Sequence, residues 1–595
     1  MEDTMNRITL ITLTMAMTAW LGTAAEGTDK AMPAGVVPSL SQNASAINIL
    51  SDGSPVFDEL VKKGKDCSDR KDYEKALSIY RSALSLAPAG KKGDLYCQIG
   101  FVQKKMHRYE EARMALEEGL RLSPKNWKIL YALGNLYSNP YFNRQGIAEK
   151  YYTMALETSD NKPKVLVSWG AMYLTNGNEE KAIEKLSESI SLDPSYGKAY
   201  VLRGSAYGRL KKYKEAFADY DAFLAGSPER KDLSLLYGVR GTTLFSIGKY
   251  EQAADDFLRL QKEEPDQFYP NSMAGQSLYK CKQYEKAIPY LKKAAEIKPN
   301  APIIWDTLGM AYDGMKQPRS AQETLEKAVS LGSDSPLTYL QLSHFYRKRK
   351  DYPALARLDT AFIEKNPKSF LFYQDRAYAL EIMGKYEEAI SDFNAAINLG
   401  LDIPDIHLER GLCYLKIGVP EKALADFKAA EEQVPQDQTA LLLSSVALGR
   451  MKEYDRALSL LVPASLLPNG RPKNRILNTM GSLYALKGDY ERAITILTDG
   501  IRQYPAYPET YRSRACVYEK MGHPDMAISD MNEFLKRQPQ NIRGLQYRAK
   551  LLEETGKHDL AEKDRRKVAD LEKKKVPQED DKETMDLLYT ADRER

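Results

Sequence analysis

The chain has 595 residues, 43% of them apolar and 28% charged, with a formal net charge of +4. That length exceeds what one compact core organises, so several domains or a repeat array are expected. So small a charge, set against 86 basic and 82 acidic residues, does not indicate a dedicated nucleic-acid binder. The 38 tyrosines outnumber the 15 phenylalanines, which suits half-exposed helix faces and protein-binding surfaces.

At the N-terminus, Arg7 precedes an apolar run from Ile8 to Leu21 that closes on the small residues Gly22 to Ala25. This is the layout of a secretory signal peptide over residues 1–25, with cleavage expected near Ala24 or Ala25. Met5 is the better start, because Glu2 and Asp3 put acid where signals carry base. An uncleaved anchor is the alternative, although about fourteen apolar residues fall short of the roughly twenty a bilayer span needs. Residues 26–56 are rich in Ala, Gly, Pro and Ser without periodicity and read as a flexible linker. Asn43-Ala44-Ser45 matches a glycosylation acceptor, which matters only in a eukaryotic secretory host. The cysteines Cys67, Cys97, Cys281, Cys413 and Cys516 are widely spread with no CxxC, so they read as small buried hydrophobes.

From residue 57 the chain aligns with itself in fifteen rows, starting at 57, 93, 127, 163, 197, 234, 268, 302, 336, 370, 404, 438, 474, 508 and 542. Most steps are 34 residues, and the longer ones place their extra residues in turns. Column eight is always small: Gly64, Gly100, Gly134, Gly170, Gly204, Gly241, Gly275, Gly309, Ser343, Ala377, Gly411, Ser445, Gly481, Ala515 and Ala549. Column twenty is Ala in fourteen rows, with Leu355 the exception, and column thirty-two is Pro in ten, among them Pro88, Pro194, Pro299 and Pro505. Columns four, eleven and twenty-four are read as apolar or aromatic. Row eight shows the pattern: Trp305, Leu308, Gly309, Tyr312, Ala321, Leu325 and Ala328.

The spacing predicts two antiparallel helices per row, with columns 4, 7, 8 and 11 on one face and 20, 24 and 27 on the other. Small residues let the two backbones approach, and proline ends the second helix because it cannot continue the hydrogen-bond ladder. One pair cannot bury both its faces, so neighbours must stack.

Fifteen rows in phase resemble the tetratricopeptide-repeat family over residues 57–575. The resemblance implies an all-α fold: a right-handed α-solenoid, or superhelix, of antiparallel helix pairs. It also implies a concave groove, lined by first-helix columns 2, 5, 9, 12 and 13, that takes extended peptides or partner helices. In rows six to ten those columns include Phe245, Tyr269, Gln276, Tyr279, Asp306, Met310, Asp313, Leu340, His344, Arg347, Lys348, Gln374 and Tyr378. The family's carboxylate clamp for C-terminal tails is not reproduced in successive rows. Row nine departs most, with Ser343 and Leu355 in the small columns, and row three carries an insertion within SNPYFNRQG.

Arginine stands in column seven of six rows, as Arg203, Arg240, Arg376, Arg410, Arg514 and Arg548. The same six rows carry Asp219, Asp256, Asp392, Asp426, Asp530 and Asp564 in column twenty-three, sixteen residues on. The other nine rows have neither residue in those columns. A guanidinium in an apolar stripe needs a partner, and its planar fork matches a carboxylate, so an ion pair between the two helices of one row is predicted.

No chemistry is predicted beyond binding. The histidines His107, His344, His407, His523 and His558 lie far apart, and no HExxH, P-loop or GxSxG occurs. Catalytic residues, cofactors and a metal site are therefore not expected. Residues 576–595 are read as a capping helix, through Met585, Leu587, Leu588 and Tyr589, or as a disordered tail. The functional expectation is a non-enzymatic scaffold for protein or peptide partners, exported to the periplasm or exterior of a bacterial envelope. An accessory subunit of a polysaccharide-export or envelope-assembly complex, an enzyme with a site formed across rows, and a cytosolic scaffold remain the alternatives.

Overall fold

The structure, a computed structural model, describes residues 55–228, 230–466 and 473–574. The predicted signal segment and the C-terminal cap or tail lie outside the described residues, as does the linker apart from its last two positions. Those two, Pro55 and Val56, open the first helix. Proline is well suited to an initial helical position, where its missing N–H has no partner to lose.

The described residues form helices and turns with no strand, and the helices pair row by row. One unit, Met1–Ser333, runs from the pair Pro55–Asp69 and Tyr73–Leu86 to the pair Pro302–Gly314 and Pro318–Ser330. The other, Asp334–Arg595, runs from Pro336–Lys348 and Tyr352–Lys365 to Ile542–Glu554 and His558–Lys573. No helix among the described residues is long and apolar enough to cross a membrane.

Local sequence explains each hairpin. The first helix closes on a residue in the left-handed region, Lys316 (φ 56°) in repeat eight and Gly384 (φ 75°) in repeat ten. In repeat eight the N–H groups of Lys316 and Gln317 donate back to Asp313 O at 2.8 Å and Tyr312 O at 3.0 Å, which satisfies the last carbonyls. Asn178, Asp351 and Asp489 then cap the second helices by accepting from backbone N–H groups three residues on. Second helices stop just before the column-thirty-two proline, as Glu263 does before Pro265 and Ile297 before Pro299.

In most hairpins the core is the contact between column eight and column twenty-four. A Cβ added at Gly64 or Gly204 would stand 2.5 Å from the ring of Tyr80 or Tyr220, and one at Gly309 would stand 2.5 Å from Leu325 Cδ2. Tyr80 and Tyr220 are fully buried, and the Tyr220 hydroxyl keeps a polar partner, Thr243 Oγ1 at 3.0 Å. The row-three insertion falls between Trp127–Tyr137 and Gln145–Thr158, where Tyr141 lies 4.9 Å from Tyr109 and Phe142 lies 5.3 Å from Tyr137.

The apolar columns are less uniform than expected. Column four holds Asn271, whose amide donates to Pro265 O and Gln267 O at 2.8 Å, and His407, 2.6 Å from Asp402. Gln103, in column eleven, donates to Glu111 at 3.2 Å. In the last described repeat, column twenty-four is the exposed Arg565, paired with Glu553 at 2.7 Å. The deepest departure is Asp359, column twenty-four of repeat nine, which is 0% exposed. Polar residues enter these columns where a hydrogen-bond partner or solvent meets them. All five cysteines are free thiols; Cys413 and Cys516 are buried and the other three half-buried.

Gly309→Val is expected to lower stability by about 1–3 kcal/mol, because the added side chain overlaps Leu325, which is fully buried. Gly146→Ala, where an added Cβ meets nothing within 4 Å, is expected to be neutral or stabilising by up to about 1 kcal/mol. Urea unfolding midpoints of the two variants check both, and equal midpoints would contradict the close approach.

Candidate functional site

The column-seven arginines and column-twenty-three aspartates meet. Arg203 donates from Nε to Asp219 Oδ2 at 2.9 Å and from Nη2 to Oδ1 at 2.7 Å. The same two-pronged contact joins Arg240 to Asp256, Arg376 to Asp392, Arg514 to Asp530 and Arg548 to Asp564, at 2.7–2.8 Å. Arg410 grips Asp426 likewise, from Nε at 2.9 Å and from Nη2. The aspartates are 2–6% exposed, so each carboxylate is a buried charge matched by a planar donor pair. Its hydrogen bonds to Asp219 hold the Arg203 guanidinium above its ordinary value, and the rings of Tyr200 and Tyr207 flank it at 5.7 and 6.0 Å.

A third contact escaped the sequence reading. Arg203 Nη1 donates to Ser187 Oγ at 3.0 Å, on the second helix of the preceding repeat. Arg376, Arg410, Arg514 and Arg548 do the same to Thr360 (2.9 Å), Asn394 (2.6 Å), Thr498 (3.0 Å) and Asn532 (2.8 Å). For Arg240 that column holds Asp221, whose charge also raises the guanidinium. Five of the six arginines therefore pin three helices, two of their own repeat and one of the repeat before. A partial signal was in the sequence: column twenty-five ahead of each arginine row is Ser, Asp, Thr or Asn, whereas ahead of other rows it is Thr153 once and otherwise includes Leu258, Lys292, Lys428 and Val462. Arg209 and Arg450, both in column thirteen, add a second inter-repeat tie by donating to Leu174 O at 2.6 Å and Leu415 O at 2.9 Å.

The residues expected to line a groove divide between the two units. In the first unit Gln276, Tyr279, Met310 and Asp313 are half-buried and keep part of their surface open. Gln276 donates to Ser272 Oγ at 2.8 Å, and burial raises the Tyr279 phenol above its ordinary value, helped by Tyr284 and Asp313. Three expected groove residues belong to the interior instead. Tyr269 is 4% exposed, with its hydroxyl 2.5 Å from Thr242 Oγ1 and 3.4 Å from the Gly238 carbonyl oxygen. Burial pushes that phenol up to about 12. Phe245, 6% exposed, packs edge-on against Tyr250 at 5.2 Å. Asp306 is buried beneath Ser333, whose hydroxyl lies 2.9 Å from both of its carboxylate oxygens. Ser333 occupies a column where ten rows have proline.

In the second unit His344, Arg347 and Lys348 are exposed on one helix, Pro336–Lys348, and Leu340 is half-buried. Arg347 Nη1 reaches Asp375 Oδ1 at 3.0 Å. Gln374 donates to the Tyr378 hydroxyl at 3.3 Å, and the Tyr378 ring meets Phe393 edge-on at 5.6 Å. Among the described residues no group of three or more His, Cys, Asp or Glu side chains is placed to hold a metal ion.

Helix hairpins closed on a small column and stacked through inter-repeat ties define an α-helical repeat scaffold. The tetratricopeptide-repeat family matches at residues 239–302 and 375–438, and again at 93–126, 197–225, 303–333, 475–507 and 508–541. The chain is a tetratricopeptide-repeat protein, and as such a scaffold for protein–protein interaction. It is 23% identical over 381 residues to the DnaJ protein P58IPK homolog B of Oryza sativa subsp. japonica, covering 58% of this chain and 77% of that one. The TPR repeat-containing protein MJ1428 of Methanocaldococcus jannaschii is 22% identical over 500 residues, covering 81% of this chain and 76% of that one. A solved chain of the APC/C hetero-tetramer Cut9-Hcn1 superposes with a TM-score of 0.31 at 16% identity, covering 84% of this chain and 96% of that one.

Arg203→Ala is expected to cost on the order of 3 kcal/mol, because it strands the buried Asp219 charge. Replacing Arg203 and Asp219 together by Met and Leu is expected to cost far less. Comparable losses from the single and double changes in a thermal melting series would contradict the pairing.

Proposed function

We propose that this scaffold is exported and works in a bacterial cell envelope, in the periplasm or outside the cell, holding peptide segments or helices of partner proteins on its first-helix inner columns. The observation that carries the binding part is a division of labour between the columns that join helices and the inner columns. The arginines and aspartates that could serve as recognition charges are spent on joining helices, with both carboxylate oxygens occupied. The inner columns instead present open side chains of mixed chemistry: Gln276, Tyr279, Met310 and Asp313 in one unit, His344, Arg347 and Lys348 in the other. Aromatic and flexible apolar groups beside hydrogen-bonding ones suit capture of an extended segment, where a few anchors dominate the affinity. Export is supported by the charge, apolar run and small residues of positions 7–25.

The test is photocrosslinking in the native cell from single sites at Gln276 and Lys348, with mass spectrometry of the captured proteins and of the chain's own N-terminus. Envelope proteins captured from both sites, on a chain that starts near Glu26, are the expected result. A chain that keeps its first residues and captures cytosolic proteins would refute the export reading. Capture unchanged by Tyr279→Ala or His344→Ala would refute the binding face.

A further inference from the structure

Repeat nine breaks the pattern in one coherent way. Most rows place Gly or Ala in column eight against a large apolar residue in column twenty-four; row twelve has Ser445 against Leu461 and row fifteen Ala549 against Arg565, but repeat nine alone sets a hydroxyl, Ser343, against a carboxyl, Asp359. Its neighbouring columns, seven and twenty-three, are Leu342 and Leu358, so no arginine fork reaches this carboxyl within the repeat. Asp359 is 0% exposed. Its Oδ1 accepts from Ser343 Oγ at 3.2 Å, and its Oδ2 has no hydrogen-bond partner. Across the joint, on Phe370–Ile382, stands Asp375, 7% exposed, with Arg347 on its Oδ1 at 3.0 Å and its own Oδ2 unpartnered. Two buried carboxyls therefore leave one oxygen each without a donor.

Leaving such oxygens charged and unmatched is costly, and a proton on one of them removes the charge and supplies a donor. The charged groups that face Asp359 are few. Arg347 lies on Pro336–Lys348, and Asp375 and Arg376 lie on Phe370–Ile382; the Arg376 fork is already committed to Asp392. We propose that repeats nine and ten are joined by a proton-held latch, in which protonated Asp359 lies under Ser343 and beside Asp375, and loss of the proton loosens the joint between Tyr352–Lys365 and Phe370–Ile382. Burial first, then the Asp375 charge, pushes the Asp359 carboxyl up to about 8, against the pull of Ser343, Arg347 and Arg376. Burial also raises Asp375, opposed by Arg347 and Ser343.

The sign of the pH dependence follows. In the opened joint Asp359 titrates near the ordinary aspartate value of about 3.9, and in the closed joint it keeps its proton to much higher pH. The latch contributes fully below the opened-state value, weakens with rising pH, and is lost as the pH passes through about 8. It is tight in acid and slack in alkali. The same helices carry His344, Arg347, Gln374 and Tyr378, so the latch ties the partner-facing columns of repeats nine and ten to local pH.

Hydrogen exchange of the full chain between pH 5 and 9, expressed as protection factors corrected for intrinsic exchange, tests this. Between pH 5 and 8 the protection of residues 352–382 is expected to fall by about tenfold per pH unit, the slope for one released proton, and to flatten above. Residues 524–554, which lack such a carboxyl pair, serve as the reference. Asp359→Asn, which keeps the shape but not the titration, is expected to abolish the slope. Asp359→Leu, the residue type that other repeats use in this column, is expected to abolish it as well. A wild-type slope equal to that of residues 524–554, or a slope that survives in either variant, would overturn the latch.

Discussion

Everything in this molecule depends on how closely two helix backbones approach at one column. With Gly in that column and a large side chain from the second helix laid directly over it, there is no space for a Cβ at Gly64, Gly204 or Gly309. That approach brings column seven within reach of column twenty-three, which is why an Arg and an Asp sixteen residues apart form a fork. It also fixes the face that each hairpin offers to the next. An interior packed this tightly does not deform gradually, so the repeats stack in one way.

Charge enters the scaffold on the same terms. A buried ion pair adds little over an apolar pair of similar volume, while losing one partner is severe. The six forks therefore act less as a store of stability than as a specification of register. The third guanidinium donor reaches Ser187, Thr360, Asn394, Thr498 or Asn532 in the preceding repeat and so sets how one hairpin sits on the last. In an array where each repeat touches only its neighbours, such local ties are what propagate order.

The hairpins were legible because their determinants recur within one chain: the small column, the alanine column and the closing proline each appear many times in phase. The Arg–Asp forks were legible for the same reason. What the sequence hid depends on how deeply neighbouring first helices overlap, and a 34-residue period does not encode that depth. Phe245 shares its column with the open Tyr279, Asp313 and Arg347 yet falls inside, and Tyr269 is buried with its hydroxyl on Thr242 and the Gly238 carbonyl. Asp306 is claimed by Ser333, where a column of prolines gives way to a hydroxyl. The Asp359–Asp375 juxtaposition joins two rows, so reading either row alone could not expose it.

The central claim is that the column-seven arginine is a three-helix joint rather than a recognition charge. A double-mutant cycle on the full chain, with Arg514→Met, Asp530→Leu and Thr498→Val combined in pairs and scored by denaturant unfolding, tests it most directly. Coupling of about 2–3 kcal/mol is expected between Arg514 and Asp530, and about 0.5–1.5 kcal/mol between Arg514 and Thr498. Coupling indistinguishable from zero in both pairs would mean that the guanidinium does not hold these helices, and the account would fail.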